Sequence, residues 1–127
     1  LLSLPRHWSR HADRHLVHAC QPPFESRLSL AGASDDELHH YRMAARQEAV
    51  CRVAAFLAGL PAEESASLAR HVLHGHPSAV VQERLRRLGS DLLVLGRHGG
   101  SVLSEHLLGS VTRNLLHRVT CDVLLVP

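Results

Sequence analysis

The sequence of 127 residues contains no lysine, and all 14 of its basic residues are arginine. This absence excludes the lysine-dependent chemistry of Walker A phosphate loops and of Schiff-base enzymes. Aromatic residues are also scarce, with one Trp, one Tyr and two Phe, so the core must consist mainly of Leu, Val and Ala. Such a composition favours parallel strands covered by helices over an aromatic-rich β-sandwich.

Other absences narrow the class of protein. Cys20, Cys51 and Cys121 lie far apart without a CxxC pair, which predicts neither a zinc site nor a disulfide framework. No apolar run approaches the roughly 18 residues of a membrane span, and the N-terminal residues lack the apolar core of a signal peptide. The net charge of +2 is small and its charges are scattered, which argues against a nucleic-acid surface. We therefore expect a cytoplasmic protein with no membrane or nucleic-acid partner.

Short apolar runs alternate with helix-forming segments along the chain. Strands are predicted at 15–20, 67–74, 91–95 and 122–126, and helices at 34–60, 77–88 and 109–118. The segment from Ser34 to Glu37 has the form of a capping box, and the apolar residues that follow predict one buried stripe that includes Phe56. Residues 21–33 are predicted to be a loop, because Pro22 and Pro23 end the first strand. This alternation predicts an α/β fold with a doubly wound parallel sheet.

The segment between the last two predicted strands carries the pattern G-x2-G-x9-G-S, formed by Gly96, Gly99, Gly109 and Ser110. Gly96 and Gly99 allow a sharp turn off a strand end and a close approach to a ligand. Gly109 and Ser110 open a helix, whose free amide groups favour an anion such as a phosphate. The pattern lacks the G-x-G-x-x-G spacing of a dinucleotide fingerprint. The alternative is a glycine-rich connection that leads into a capped helix and binds no ligand. The residues alone leave both interpretations open.

This pattern, with the Gly75–Pro77 turn and the terminal segment Cys121–Pro127, resembles the universal stress protein family. The resemblance covers most of the chain from about His15, and the loop spacing matches without insertion or deletion. It implies a Rossmann-like, five-stranded sheet of order 3-2-1-4-5 and a site for ATP, with or without Mg²⁺. It also implies a homodimer formed through the last strand, Val123–Val126, whose edge is open to another strand.

The resemblance also implies which residues contact the nucleotide. It places Val17 near the adenine, Leu95 and Gly96 against the adenosine, and Gly99, Gly109, Ser110 and Val111 around the phosphates. His98 lies inside the same loop, where it either hydrogen-bonds a phosphate when protonated or simply lines the loop. The aspartate that contacts the adenine after the family's first strand has no counterpart here, and Asp13 is not a substitute.

The beginning of the chain departs from the family pattern. Residues 1–14 would have to hold a first strand and a crossover helix, and a crossover alone needs about a dozen residues. We therefore expect the first strand to be incomplete or absent within this sequence, so that Leu1–Leu4 or residues outside the sequence supply it. Residues 15–127 match the family well, and 1–127 is predicted to be a single domain with a remnant of the first strand and helix at 1–14.

Metal binding and catalysis are not predicted. His71 and His74 would point to opposite faces of a strand, which disfavours a shared metal ion. Close neighbours along one loop, Ser101, Ser104, Glu105 and His106, do not make a catalytic triad, which is recognised by geometry across a fold. We predict an ATP-binding stress-response sensor with at most slow ATP hydrolysis. The alternative is a homodimeric interaction module of the same fold that binds no nucleotide.

Overall fold

The computed structural model of the protein describes residues 12–96 and 108–127. The strands in these ranges are β1 (Arg14–Cys20), β2 (Leu68–His74), β3 (Leu92–Gly96) and β4 (Asp122–Val126). The helices are α1 (Glu25–Leu30), α2 (Asp35–Ala58), α3 (Ala62–Ala66), α4 (Pro77–Leu88) and α5 (Ser110–Leu116). The described residues fall into two compact units, 12–77 and Ser78–Pro127. None of the described helices is both long enough and apolar enough to cross a membrane.

Each unit contains one pair of parallel strands. In the first unit, β1 and β2 run in register from Arg14 opposite Leu68 to the ends of both strands. In the second unit, β3 and β4 run from Leu92 opposite Asp122 to Gly96 opposite Val126. The predicted α/β architecture with parallel strands is confirmed. The two pairs correspond to neighbours 3–2 and 4–5 of the predicted strand order, whereas the five-stranded order itself and the single domain stay predictions.

Helix α2 forms the helical layer of the first unit and begins at the predicted capping box. The Ser34 hydroxyl accepts a hydrogen bond from the Glu37 amide at 3.3 Å, and the Glu37 carboxylate accepts one from the Ser34 amide at 2.8 Å. The helix contacts both β1 and β2. Its buried side chains are Leu38, Ala49 and Leu57. The apolar stripe therefore does cover the strand pair, as its spacing predicts.

Two predictions about this unit are wrong. Phe56 does not join the buried stripe, because its side chain is 55% exposed. The next residue, Leu57, is buried in its place, because neighbouring residues of a helix point about 100° apart. Residues 21–33 are not entirely a loop, since α1 occupies six of them. Neither α1 nor α3 buries any residue, and no apolar periodicity in the sequence predicts either helix.

A single carboxylate joins three elements of the first unit. Glu25, the first residue of α1, pairs with Arg42 of α2 and accepts a hydrogen bond from His74 Nε2 of β2 at 2.7 Å. The Glu25 side chain is only 17% exposed. The hydrogen bond from His74 is the main cause that lowers the pKa of Glu25, and Arg42 acts in the same direction. Glu25 therefore supplies the attachment that α1 does not obtain from apolar burial.

We expect Ser34→Ala to lower the free energy of unfolding by about 1 kcal/mol, because the first turn of α2 loses its capping hydroxyl. Urea denaturation followed by circular dichroism measures this change. Ser29→Ala, at an exposed position in α1, is the control and should change the free energy by much less. Equal effects of the two substitutions would contradict the role assigned to the cap.

We expect Glu25→Gln to destabilise the protein at pH 7 and to have less effect in acid. The folded-state pKa of Glu25 lies below its ordinary value of 4.5, so its stabilising contribution is present above that value and is lost as the pH falls. Urea titrations at pH 7 and pH 3 measure the two differences. Glu48→Gln, in a well-exposed pair with Arg52, is the control and should be nearly neutral. A Glu25→Gln effect that is the same at both pH values would refute this attribution.

Candidate functional site

The carboxyl end of β3 is tied directly to the first turn of α5. The Thr112 hydroxyl of α5 donates a hydrogen bond to the carbonyl of Gly96, the last residue of β3, at 3.0 Å. Thr112 is only 5% exposed, so water competes little for this bond. Since β3 and β4 are parallel, Val126 ends β4 opposite Gly96. One buried hydroxyl thus fixes the start of a helix against the end of a strand.

The first backbone donors of α5 have no acceptor within the helix. Arg113 makes the first backbone bond of the helix, from its amide to the Gly109 carbonyl at 2.9 Å. The amide groups of Ser110 and Val111 precede that bond, so the helix itself offers them no acceptor. Gly109 is the N-cap residue and has no side chain with which to cap them. Any acceptor for these two amide groups must therefore come from outside the helix.

Gly109 is not needed for its backbone conformation. Its φ of −56° and ψ of 151° are angles that any residue adopts. Glycine at this position therefore has no backbone requirement, and its predicted place around the phosphates stays a prediction.

Charge at this helix start favours an anion. The first turn of α5 contains no acidic residue, and the guanidinium of Arg113 donates to the Leu108 carbonyl at 3.4 Å. The guanidinium therefore lies next to the residue that precedes the N-cap, although the sequence contains no lysine. The sequence interpretation missed both Arg113 and Thr112. Both residues follow the Gly109–Ser110 pair closely in the sequence, and that position is the signal that could have identified them.

The structure brings five of the predicted site residues into one unit. Leu95 and Gly96 end β3, Gly109 caps α5, and Ser110 and Val111 form its first turn. Gly96 and Ser110 are exposed, and the other three are half-buried. Val17 lies in the other unit, half-buried in β1 opposite His71. His98 and Gly99 lie outside the described residues, so their predicted roles stay predictions.

We expect Thr112→Val, which keeps the shape of the side chain but removes its hydroxyl, to destabilise the protein by about 0.5–1.5 kcal/mol. The Gly96 carbonyl then loses its bond from α5. Urea denaturation measures the change, with Thr120→Val at an exposed position as the control. A Thr112→Val variant as stable as the control would show that this bond does not hold the helix to the strand.

Comparisons with known proteins place the geometry in context. Universal stress protein Sll1388 of Synechocystis sp. is 40% identical over 52 residues, which cover 41% of this chain and 34% of that protein. Universal stress protein A homolog 1 of Coxiella burnetii is 44% identical over 57 residues, which cover 45% of this chain and 39% of that protein. The matched segments thus span less than half the length of these two relatives.

Similarity to solved structures extends further along the chain. The structure of hypothetical protein MJ0577 superposes with a TM-score of 0.72 and 22% identity, covering 93% of this chain and 78% of that one. The structure of hypothetical protein PH0823 superposes with a TM-score of 0.64 and 20% identity, covering 91% and 78%. At these identities the likeness is one of fold. The model of the universal stress protein family matches residues 7–127, nearly the whole chain, and the protein therefore belongs to that family.

Proposed function

We propose that this protein binds an adenine nucleotide, ATP with or without Mg²⁺, and acts as a stress-response sensor in the cytoplasm. The observation that carries the proposal is the hydrogen bond from Thr112 to the Gly96 carbonyl. It joins the two halves of the G-x2-G-x9-G-S pattern, which nucleotide-binding members of the family use for phosphates. In open parallel sheets, ligands bind beyond the carboxyl ends of the strands, where this bond lies.

The proposed roles of the site residues follow from their chemistry. The amide groups of Ser110 and Val111 donate to phosphate oxygens, and Gly109 leaves room for them. The Ser110 hydroxyl is exposed and adds a further donor. Gly99 is proposed to contact the phosphates, and His98 either to hydrogen-bond a phosphate when protonated or simply to line the loop.

The remaining contacts are proposed for the nucleoside. Leu95 and Gly96 lie against the adenosine, and the backbone of Val17 lies near the adenine. A half-buried Leu95 offers apolar surface to a base or ribose. The proposed site therefore holds the phosphates mainly through backbone groups and holds the nucleoside through apolar contact.

The proposed activity is binding and not rapid turnover. The described part of α5 offers hydroxyl and amide donors but no carboxylate that could activate a water molecule. General-base catalysis needs such a group within hydrogen-bond reach of the attacking water. We therefore propose at most slow hydrolysis of a bound nucleotide, which suits a sensor or a carrier.

A homodimeric interaction module is the second candidate. Within residues 108–127 and 12–96, β4 pairs with β3 alone, so its other edge presents backbone donors and acceptors. We propose that a second copy pairs with this edge along Val123–Val126. Such a dimer is compatible with nucleotide binding, but it would be the whole function if the loop held no ligand.

We expect titration calorimetry to detect binding of ATP with Mg²⁺ to the wild-type protein, and a Gly109→Val, Ser110→Ala double variant to lose about tenfold or more in affinity. The valine fills the space in front of the free amides, and the alanine removes a donor to a charged phosphate. A Gly59→Ala, Ser29→Ala double variant changes the same residue types away from α5 and should bind normally. At Gly59 an added Cβ meets only ordinary contacts.

Circular dichroism should first establish that all three proteins are folded. Equal binding by the wild type and the Gly109→Val, Ser110→Ala variant would show that the nucleotide does not bind at the start of α5. Absence of binding by a folded wild type would overturn the nucleotide proposal. Sedimentation velocity would then decide whether the dimeric module takes its place.

A further inference from the structure

Two histidines on neighbouring strands of the first unit share one face. His71 of β2 lies opposite Val17 of β1, and His15 stands two residues before Val17, so both imidazoles project on the same side. The Nδ1 atom of His15 is 3.0 Å from the Nε2 atom of His71. The ring centroids are 5.2 Å apart, with an angle of 32° between the ring planes. The sequence interpretation compared histidines along one strand and did not consider this pair across two strands.

The bond between these nitrogens requires one of them to donate and the other to accept. At least one of the two rings must therefore present an unprotonated nitrogen to the other. If the neutral donor ring changes tautomer, its proton moves to the nitrogen that faces away from the other ring. The two facing nitrogens, His15 Nδ1 and His71 Nε2, then each present a lone pair. Neutral imidazole is the form that binds transition metals. No proton is lost or gained overall when two neutral rings make this change.

The spacing of the nitrogens suits a metal ion. Zinc binds imidazole nitrogens at 2.0–2.1 Å with tetrahedral angles, which places two such nitrogens roughly 3.4 Å apart. The observed separation of 3.0 Å is a few tenths of an ångström shorter, so to admit an ion the nitrogens must move apart and both rings must turn towards it. His15 is exposed and His71 is half-buried, so an ion can approach from solvent. Imidazole ligands suit Zn²⁺, Cu²⁺ and Ni²⁺ better than Mg²⁺ or Ca²⁺.

We propose that His15 and His71 form a two-histidine site for a divalent transition-metal ion that bridges β1 and β2. Nowhere in the described ranges do three or more His, Cys, Asp or Glu side chains come together in an arrangement that could hold a metal. In the proposed site water supplies the remaining ligands, and the ion exchanges readily. An additional proton on either ring removes a ligand, so binding weakens as the pH falls. The site crosslinks the two strands without a disulfide.

The test is calorimetric titration of ZnCl₂ into the full 127-residue chain, its His15→Gln and His71→Gln variants, and a His76→Gln control. His76 is an exposed histidine in the turn after β2. We expect one site in the wild type, a loss of about tenfold or more in affinity in the first two variants, and no change in the control. Each expected loss corresponds to the removal of one of two protein ligands.

A second measurement keeps the result interpretable if a variant is less stable. Zn²⁺ should raise the urea midpoint of the wild type and of the control, because it binds the folded state, and should leave the midpoints of the two site variants unchanged. Equal zinc binding by all four proteins would overturn the proposal in favour of scattered surface histidines. Absence of binding by the folded wild type would overturn it in favour of a pair that shares only a proton.

Discussion

Parallel strand pairing is the constraint on which the described structure depends. Two parallel strands cannot be joined by a tight turn, so each pair needs a long connection that carries a helix. Helix α2 serves this purpose for β1 and β2, and α5 serves it for β3 and β4. The carboxyl ends of both strands in a pair then lie at one edge, which brings Gly96 beside Val126. The candidate site is a product of this topology before any side chain is considered.

The elements that the sequence predicts well are those with local signals. The apolar run at 91–95 marks β3, and Pro77 marks the start of α4. Gly89 follows α4 with a φ of +58°, as a glycine after a helix often does. The capping box at Ser34 fixes the start of α2. In each case the residues that determine the start or end of the element lie within a few positions of it, so the local sequence predicts it.

The features that the sequence does not predict depend on residues far apart in the chain. Helix α1 is held by Glu25 bonds to Arg42 and His74, which lie 17 and 49 positions away. Thr112 holds α5 to Gly96, and nothing in either residue type predicts that the two form a hydrogen bond. Phe56 and Leu57 both continue the apolar spacing of α2, three and four residues after Val53, and only the packing of the helix decides that Leu57 is the buried one. Such pairings follow from the fold and cannot be read from local spacing.

The two strand pairs also differ in how much chain must be ordered before they form. Arg14 pairs with Leu68, which is 54 positions away, whereas Leu92 pairs with Asp122, which is 30 positions away. Closing the longer loop costs about 0.5 kcal/mol more in chain entropy. Contacts at smaller sequence separation form faster in general. The unit of β3, α5 and β4 should therefore be the earlier of the two to assemble, so that the proposed phosphate site is built before the β1–β2 pair.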